Sequence, residues 1–276
     1  MNYETLDWVL VLASIAAYLG ACGTAVRRAL ARQEAEGRAW MLLVAIGWLA
    51  CAAFLAEAGM RRHACPLVNR MEAMAFVTSL LVLVCGLLDF SFRMTGLTAV
   101  AVPIAAALLS GALALGGGEP IGKAGHGHLL YLHIALMLAS YAALAIAFLG
   151  GGLFLYQERQ LRTKRFGPLF HRLPALDVAD RLTARSLLFG FPLLTLGILI
   201  GGVRAQSQGT LGTAWFADPK VILSVFTWII YLVVLAFRLH VNYGGRRIAW
   251  LTMLGFGFLA FTVLGASLVG PGFHRW

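Results

Sequence analysis

Histidine is the residue type in this sequence best suited to chemistry near a membrane, and there are 7: His63, His126, His128, His133, His171, His240 and His274. A neutral imidazole is a good metal ligand, and a pair of them can hold one haem iron axially. Two positions fit such a pair. His133 stands in YLHIALMLASYAALA, near the start of an apolar run, and His274 stands in GPGFHRW, just past the end of the last run. Between them lies RAQSQGTLGTAWFADPK, residues 204–220. Its Trp215 and Phe216 offer an aromatic, partly apolar shelf for a porphyrin face, and nearby bases can meet propionates. A plainer reading stands beside this one. An interfacial histidine often only snorkels its polar tip toward water, and a Trp-Phe pair suits an aromatic belt.

His240 is separate. It closes an apolar run in FRLHVNYGGRR, 20 residues after Lys220. Along a helix that is about 30 Å, so His240 cannot reach the iron that His133 and His274 would share. It reads either as an interface residue beside Arg238 or as a second ligand site at the other membrane face. Hydrolytic chemistry has little support, because neither G-x-S-x-G nor H-E-x-x-H is present. Glu57, Glu72 and Asp89 lie near the ends of apolar runs, and Asp89 is placed to pair with Arg93 one turn on. The acids form no intramembrane chain of the kind a proton-coupled pump uses. Cys22, Cys51 and Cys85 sit inside apolar runs and Cys65 in a loop, without CxxC or CxxCH. That pattern predicts no zinc site, no covalent haem and no obligate disulfide.

The elements that must carry these residues follow from composition. The chain has 276 residues, of which 60% are apolar and 12% charged, with mean hydropathy +0.82. A soluble domain carries about a quarter charged residues, so the bilayer is the expected solvent. The apolar runs are about 20 residues long, the length of a helix crossing about 30 Å of hydrocarbon. Spanning segments must satisfy their own backbone, which favours helices. The expectation is an all-α integral membrane protein: a bundle of about eight transmembrane helices near 8–26, 39–59, 72–92, 96–116, 129–156, 185–203, 221–240 and 247–269. The segment Met1 to Asp7 has two acids and no base, so it is not expected to open a cleaved signal peptide.

Basic residues set the orientation. With the N-terminus outside, the inner segments hold 15 of the 22 Lys and Arg residues, and the outer segments hold 7. This bias predicts N-out/C-out, with loop 61–70 and its three bases as the counterweight. The net charge of +10 is thus topological, and no nucleic-acid partner is expected. Inner segment 157–184 is expected to begin as a continuation of helix five. Its Leu173, Leu176, Val178 and Leu182 fit a short interfacial amphipathic piece, and a plain basic loop fits equally well. Outer loop 116–128 mimics a P-loop from Gly117 to Lys123. Ala124 in place of Ser/Thr, the lack of a preceding strand and the outer location all reject that reading.

Three stretches carry a resemblance. Leu132 to Met137 followed by Ser140-Tyr141-Ala142 resembles a helix motif, LHVSLM…SYA. Ala214 to Lys220, with Trp228 and Tyr231 beyond, resembles the end of a WDPKE…W-Y signature. Leu239-His240, Gly244 to Arg247, Gly255-Phe256 and Gly272 to His274 resemble YLH-R…GWRG…GF…GLHSY. Together they resemble cytochrome c assembly proteins of the CcsA/CcmC type, across residues 129–276. Residues 1–128 form an N-terminal four-helix half in which no motif is named. The loop departs from the pattern: Trp215 is its single tryptophan, Ala217 stands where the next would be, and Val221 replaces the Glu after Lys. In this it is similar to the small HemX/YpjD-type branch.

The resemblance implies a haem-binding membrane protein that handles haem b non-covalently for cytochrome c assembly, and is not an enzyme. It implies His133 and His274 as outer axial ligands, Trp215 and Phe216 against the macrocycle, Asp218 and Lys220 fixing the loop, and His240 as an inner site. It places the chain in a bacterial plasma membrane, the inner membrane of a Gram-negative cell. The implied partners are lipid and either other assembly subunits or a haem-biosynthesis enzyme. The alternatives from other classes are a membrane regulator or scaffold of haem biosynthesis, acting through segment 157–184, and a small-molecule permease.

Overall fold

The computed structural model describes residues 3–30, 37–62, 69–92, 97–114, 128–164, 175–207, 219–240 and 245–265. They form eight helices: α1 (Tyr3–Leu30), α2 (Arg38–Arg62), α3 (Arg70–Phe92), α4 (Leu97–Ala114), α5 (His128–Thr163), α6 (Leu176–Ser207), α7 (Pro219–His240) and α8 (Arg246–Gly265). Among the described residues, seven of them, α1 to α7, hold a stretch long and apolar enough to cross a membrane. The protein is an all-α integral membrane protein. Large apolar side chains such as Phe90, Phe189 and Leu254 face outward, as suits a chain whose solvent is lipid.

The helices outrun the apolar spans because their polar ends are also good helix formers. α5 is 36 residues long, about 54 Å, and α6 is 32, about 48 Å; both exceed the hydrocarbon thickness. The expected continuation of helix five is present. The expected separate amphipathic piece is not. Leu176, Val178 and Leu182 are the opening turns of α6 itself, which runs unbroken into the span, while Leu173 lies outside the described residues. Val178 and Ala179 donate backbone hydrogen bonds to Ala175 O, which starts α6 there.

The chain divides into two compact units, 1–118 with 164–174, and 119–163 with 175–276. Within the first, α1 packs on α2, α2 on α3, α3 on α4, and α4 back on α1. Within the second, α5 packs on α6, α6 on α7, α7 on α8, and α8 back on α5. Each unit is thus a ring of four helices in chain order.

In the first ring small residues permit close approach: the buried face of α4 is largely alanine, including Ala101, Ala105 and Ala112. Arg61 of α2 pairs with Asp7 of α1 and with Glu57 one turn back. Trp48 Nε1 donates to Ser79 O across α2 and α3 at 3.1 Å. Asn69 caps the start of α3: its Oδ1 accepts from the Glu72 amide at 2.8 Å and its Nδ2 donates to the Glu72 carboxylate at 3.0 Å. Asp89 does more than the sequence foretold. Its carboxylate accepts from the amides of Leu97 and Thr98, at 3.2 and 2.8 Å, and so caps α4. Arg93, its expected partner, lies outside the described residues.

Candidate functional site

His133 sits near the start of α5, half-buried against α6. Its Nδ1 is 2.7 Å from Gly197 O. A carbonyl oxygen only accepts, so at this distance Nδ1 carries the proton and donates. In the neutral ring the lone pair then belongs to Nε2. Histidines that ligate metals are usually held in this way, with the other ring nitrogen donating to a backbone carbonyl or carboxylate.

The glycines of α6 make this arrangement possible. A Cβ on Gly201 would lie 2.7 Å from His133 Cε1 and 2.9 Å from Nδ1. One on Gly197 would lie 2.6 Å from Met137 Sδ, and one on Gly190 would lie 3.0 Å from Leu144 Cδ2. Position by position, α5 rises in number as α6 falls: His133 meets Gly201, Met137 meets Gly197 and Leu144 meets Gly190. The two helices are antiparallel in one continuous register, with glycines of α6 opposite His133, Met137 and Leu144. Ser140 Oγ adds a hydrogen bond to Gly190 O at 2.8 Å. The signal for this seam was in the sequence as the G-x-x-x-G of Gly197 to Gly201, a close-packing pattern in membranes.

Trp228 and Tyr231 turn out to be packing residues. Trp228 Nε1 donates to Thr195 Oγ1 at 2.9 Å, and Thr195 in turn donates to Phe191 O at 2.9 Å. The Trp228 ring stacks on Phe191 with centroids 5.7 Å apart. Tyr231 is fully buried, against the face of α8 that Gly255 leaves open. These contacts tie α7 to α6 and α8 about two to three turns below Pro219, where α7 begins.

At the other end of the same unit Asp180 of α6 gathers three donors. Arg238 donates from Nη1 to Oδ1 at 2.8 Å and from Nη2 to Oδ2 at 2.6 Å, and the Gly245 amide donates to Oδ1 at 3.2 Å. No local pattern announces this pair, which spans 58 positions. Along α6, Asp180 and Gly201 are 21 residues apart in the sequence, about 31 Å. The environment of His133 and the Asp180 bridge therefore occupy opposite ends of the unit.

Of the other residues singled out in the sequence, His240 and Lys220 lie in α7, at its last and second positions. Trp215, Phe216, Asp218 and His274 lie outside the described residues. What the described part offers a haem is one imidazole with its Nδ1 proton fixed by a backbone carbonyl. That donor chemistry fits an axial ligand.

Comparison with known proteins agrees with the motifs. The family described as "Cytochrome C assembly protein" matches residues 67–274, and so reaches back through α3 and α4, beyond the stretches that carried the resemblance. Similar proteins include "Cytochrome c biogenesis protein CcsA" of Guillardia theta, 29% identical over 231 residues covering 76% of each chain. The CcsA of Mesostigma viride is 28% identical over 239 residues, 78% of each. That of Chlamydomonas reinhardtii is 32% identical over 160 residues, 57% of this chain and 43% of that protein. With the family matched over most of its length and eight helices in place, this chain belongs to the cytochrome c assembly protein family.

Proposed function

We propose that this protein handles haem for cytochrome c assembly, holding haem b non-covalently at the outer membrane face. Haem is cargo here, and the protein catalyses no bond chemistry. His133 and His274 are the axial ligands, Trp215 and Phe216 cover the macrocycle, and Asp218 and Lys220 fix the loop between α6 and α7. His240 marks a second site at the inner face. The setting is the plasma membrane of a bacterium, the inner membrane where there are two, with both chain ends outside and other assembly subunits as partners. The observation that carries the reading is the His133 imidazole, oriented by Gly197 O at 2.7 Å. Family membership supports it, as do the printed names of the similar proteins.

Absorbance of the detergent-purified protein tests it. Haem loading is expected to give a Soret band that is lost in the His133→Ala/His274→Ala double variant. An absent band, or one unchanged in the double variant, sinks the ligand assignment.

One observation favours a second reading, a membrane regulator of haem biosynthesis. α5 and α6 run well past the hydrocarbon thickness and carry exposed Arg162 and Arg181, a surface for a partner enzyme. Gene deletion separates the two. Loss of c-type cytochromes supports haem handling, whereas altered haem precursors with normal cytochromes support regulation.

A further inference from the structure

We propose that the adjoining ends of α5 and α8 form a binding site for the headgroup of an anionic phospholipid, seated at Arg162 and Arg246. Glu158 gathers these two side chains. Arg162 Nε lies 3.1 Å from its Oε1, and Arg246 Nε lies 3.9 Å from its Oε2. Close packing of the two helices sets up that meeting. A Cβ on Gly151 of α5 would come within 3.3 Å of Ala249 O on α8, and one on Gly245 within 3.2 Å of Phe154. The site is far from His133, since Glu158 stands 25 residues further along α5, about 38 Å.

Charge does not balance on these two helix ends. Arg159, Arg162, Arg246 and Arg247 stand there with Glu158 as the single acid among the described residues. The Arg162 and Arg246 side chains remain 67% and 56% exposed while they share one carboxylate that is 18% exposed. A guanidinium carries more donors than its share of one carboxylate can accept. Exposed ion pairs also hold their partners weakly. Both arginines therefore keep donors for a further anion, and a phosphodiester matches the guanidinium fork.

The surface beside them says which kind of phosphate. Arg247, Trp250, Leu254 and Phe261 follow at helical spacing along one face of α8, and the last three are exposed. Trp250 is also one turn from Arg246. Tryptophan favours the level of the lipid headgroups, and the apolar run expected from the sequence begins at 247. From water inward the surface is thus cationic, then aromatic, then apolar, the order of phosphate, glycerol and acyl chain in a phospholipid. A protein bound to the arginines from the aqueous side would leave Leu254 and Phe261 untouched. A zwitterionic lipid brings its own cation toward the arginine cluster, so a net negative headgroup fits better.

Native mass spectrometry of the full-length protein in detergent tests this without haem, by titration with phosphatidylglycerol or with phosphatidylcholine of the same acyl chains. Phosphatidylglycerol is expected to bind more tightly. Arg162→Gln and Arg246→Gln are each expected to weaken it about fivefold or more, the factor carried by one basic residue at an anionic surface, and to leave phosphatidylcholine unchanged. Arg181→Gln is the control. It removes the same charge from the same end of the unit, from a side chain that pairs one to one with Asp177 at 2.6 Å, and is expected to change neither lipid. Both site arginines are exposed, and if one variant fails to fold the other carries the comparison. Equal binding of the two lipids overturns the proposal, as does an equal loss in Arg181→Gln, which would mean unspecific attraction. A benzophenone amino acid in place of Trp250, irradiated in cell membranes, is expected to form a lipid adduct. A protein adduct there instead would make the surface a protein interface and overturn the assignment.

Discussion

His133 shows how little a residue type decides by itself. The imidazole becomes a candidate ligand because Gly197 O accepts a hydrogen bond from its Nδ1–H, and it lies where it does because Gly201 has no side chain. A matched pair of variants isolates this. Gly201→Ala puts a methyl group against the ring, while Gly202→Ala meets nothing within 4 Å. Overpacking of this kind costs about 1–3 kcal/mol or moves the ring. Gly201→Ala is therefore expected to weaken haem loading, read from the Soret amplitude, or to lower the thermal midpoint, and Gly202→Ala to do neither. Equal effects from both would remove the steric explanation. His133 was legible in the sequence because an ionisable group beside an apolar run is unusual. Gly201 was legible only as half of a G-x-x-x-G, since the group it makes room for is fixed only opposite a particular residue of another helix.

At the scale of elements, the structure changes the reading of several motifs. Trp228, part of the resemblance, reads from its contacts as a tie between α6 and α7. Trp228→Phe keeps an aromatic ring and deletes the hydrogen bond to Thr195. It is expected to cost about 1 kcal/mol, seen as a drop of a few degrees in the unfolding midpoint. Asp89, placed by the sequence to pair with Arg93, which lies outside the described residues, also accepts two amides at the head of α4. Asp89→Ala is expected to cost about 0.5–2 kcal/mol in the same measurement, with Asn replacing it at a smaller loss. The interfacial piece expected around Leu176 failed because amphipathic spacing does not tell a surface helix from the first turns of a longer one.

The whole molecule comprises two four-helix rings, each closing its last helix on its first. The orientation remains an expectation from charge, and it can be measured. In a background with Cys22, Cys51, Cys65 and Cys85 replaced, an impermeant thiol reagent applied from outside should label Ile121→Cys and spare Lys164→Cys. The reverse pattern would invert every assignment of outer and inner in this account. Loop 61–70 was the counterweight to that orientation. Arg61 has a local reason to stand there, since Asp7 and Glu57 both hold it.

The sequence by itself determined the solvent, the helical class, the approximate bounds of eight elements and the family likeness, because all of these follow from runs of residues along the chain. Length and hydropathy are local sums, and each segment has them before any helix meets another. Only the tertiary structure decided that His133 lies on Gly201, that Asp180 reaches Arg238 across 58 positions, and that Trp228 ties two helices. Such pairings depend on how far each helix is rotated and slid against its neighbour. A helix apolar on every side bears no stripe to announce its inward face, so rotation and register become visible only when the helices are packed.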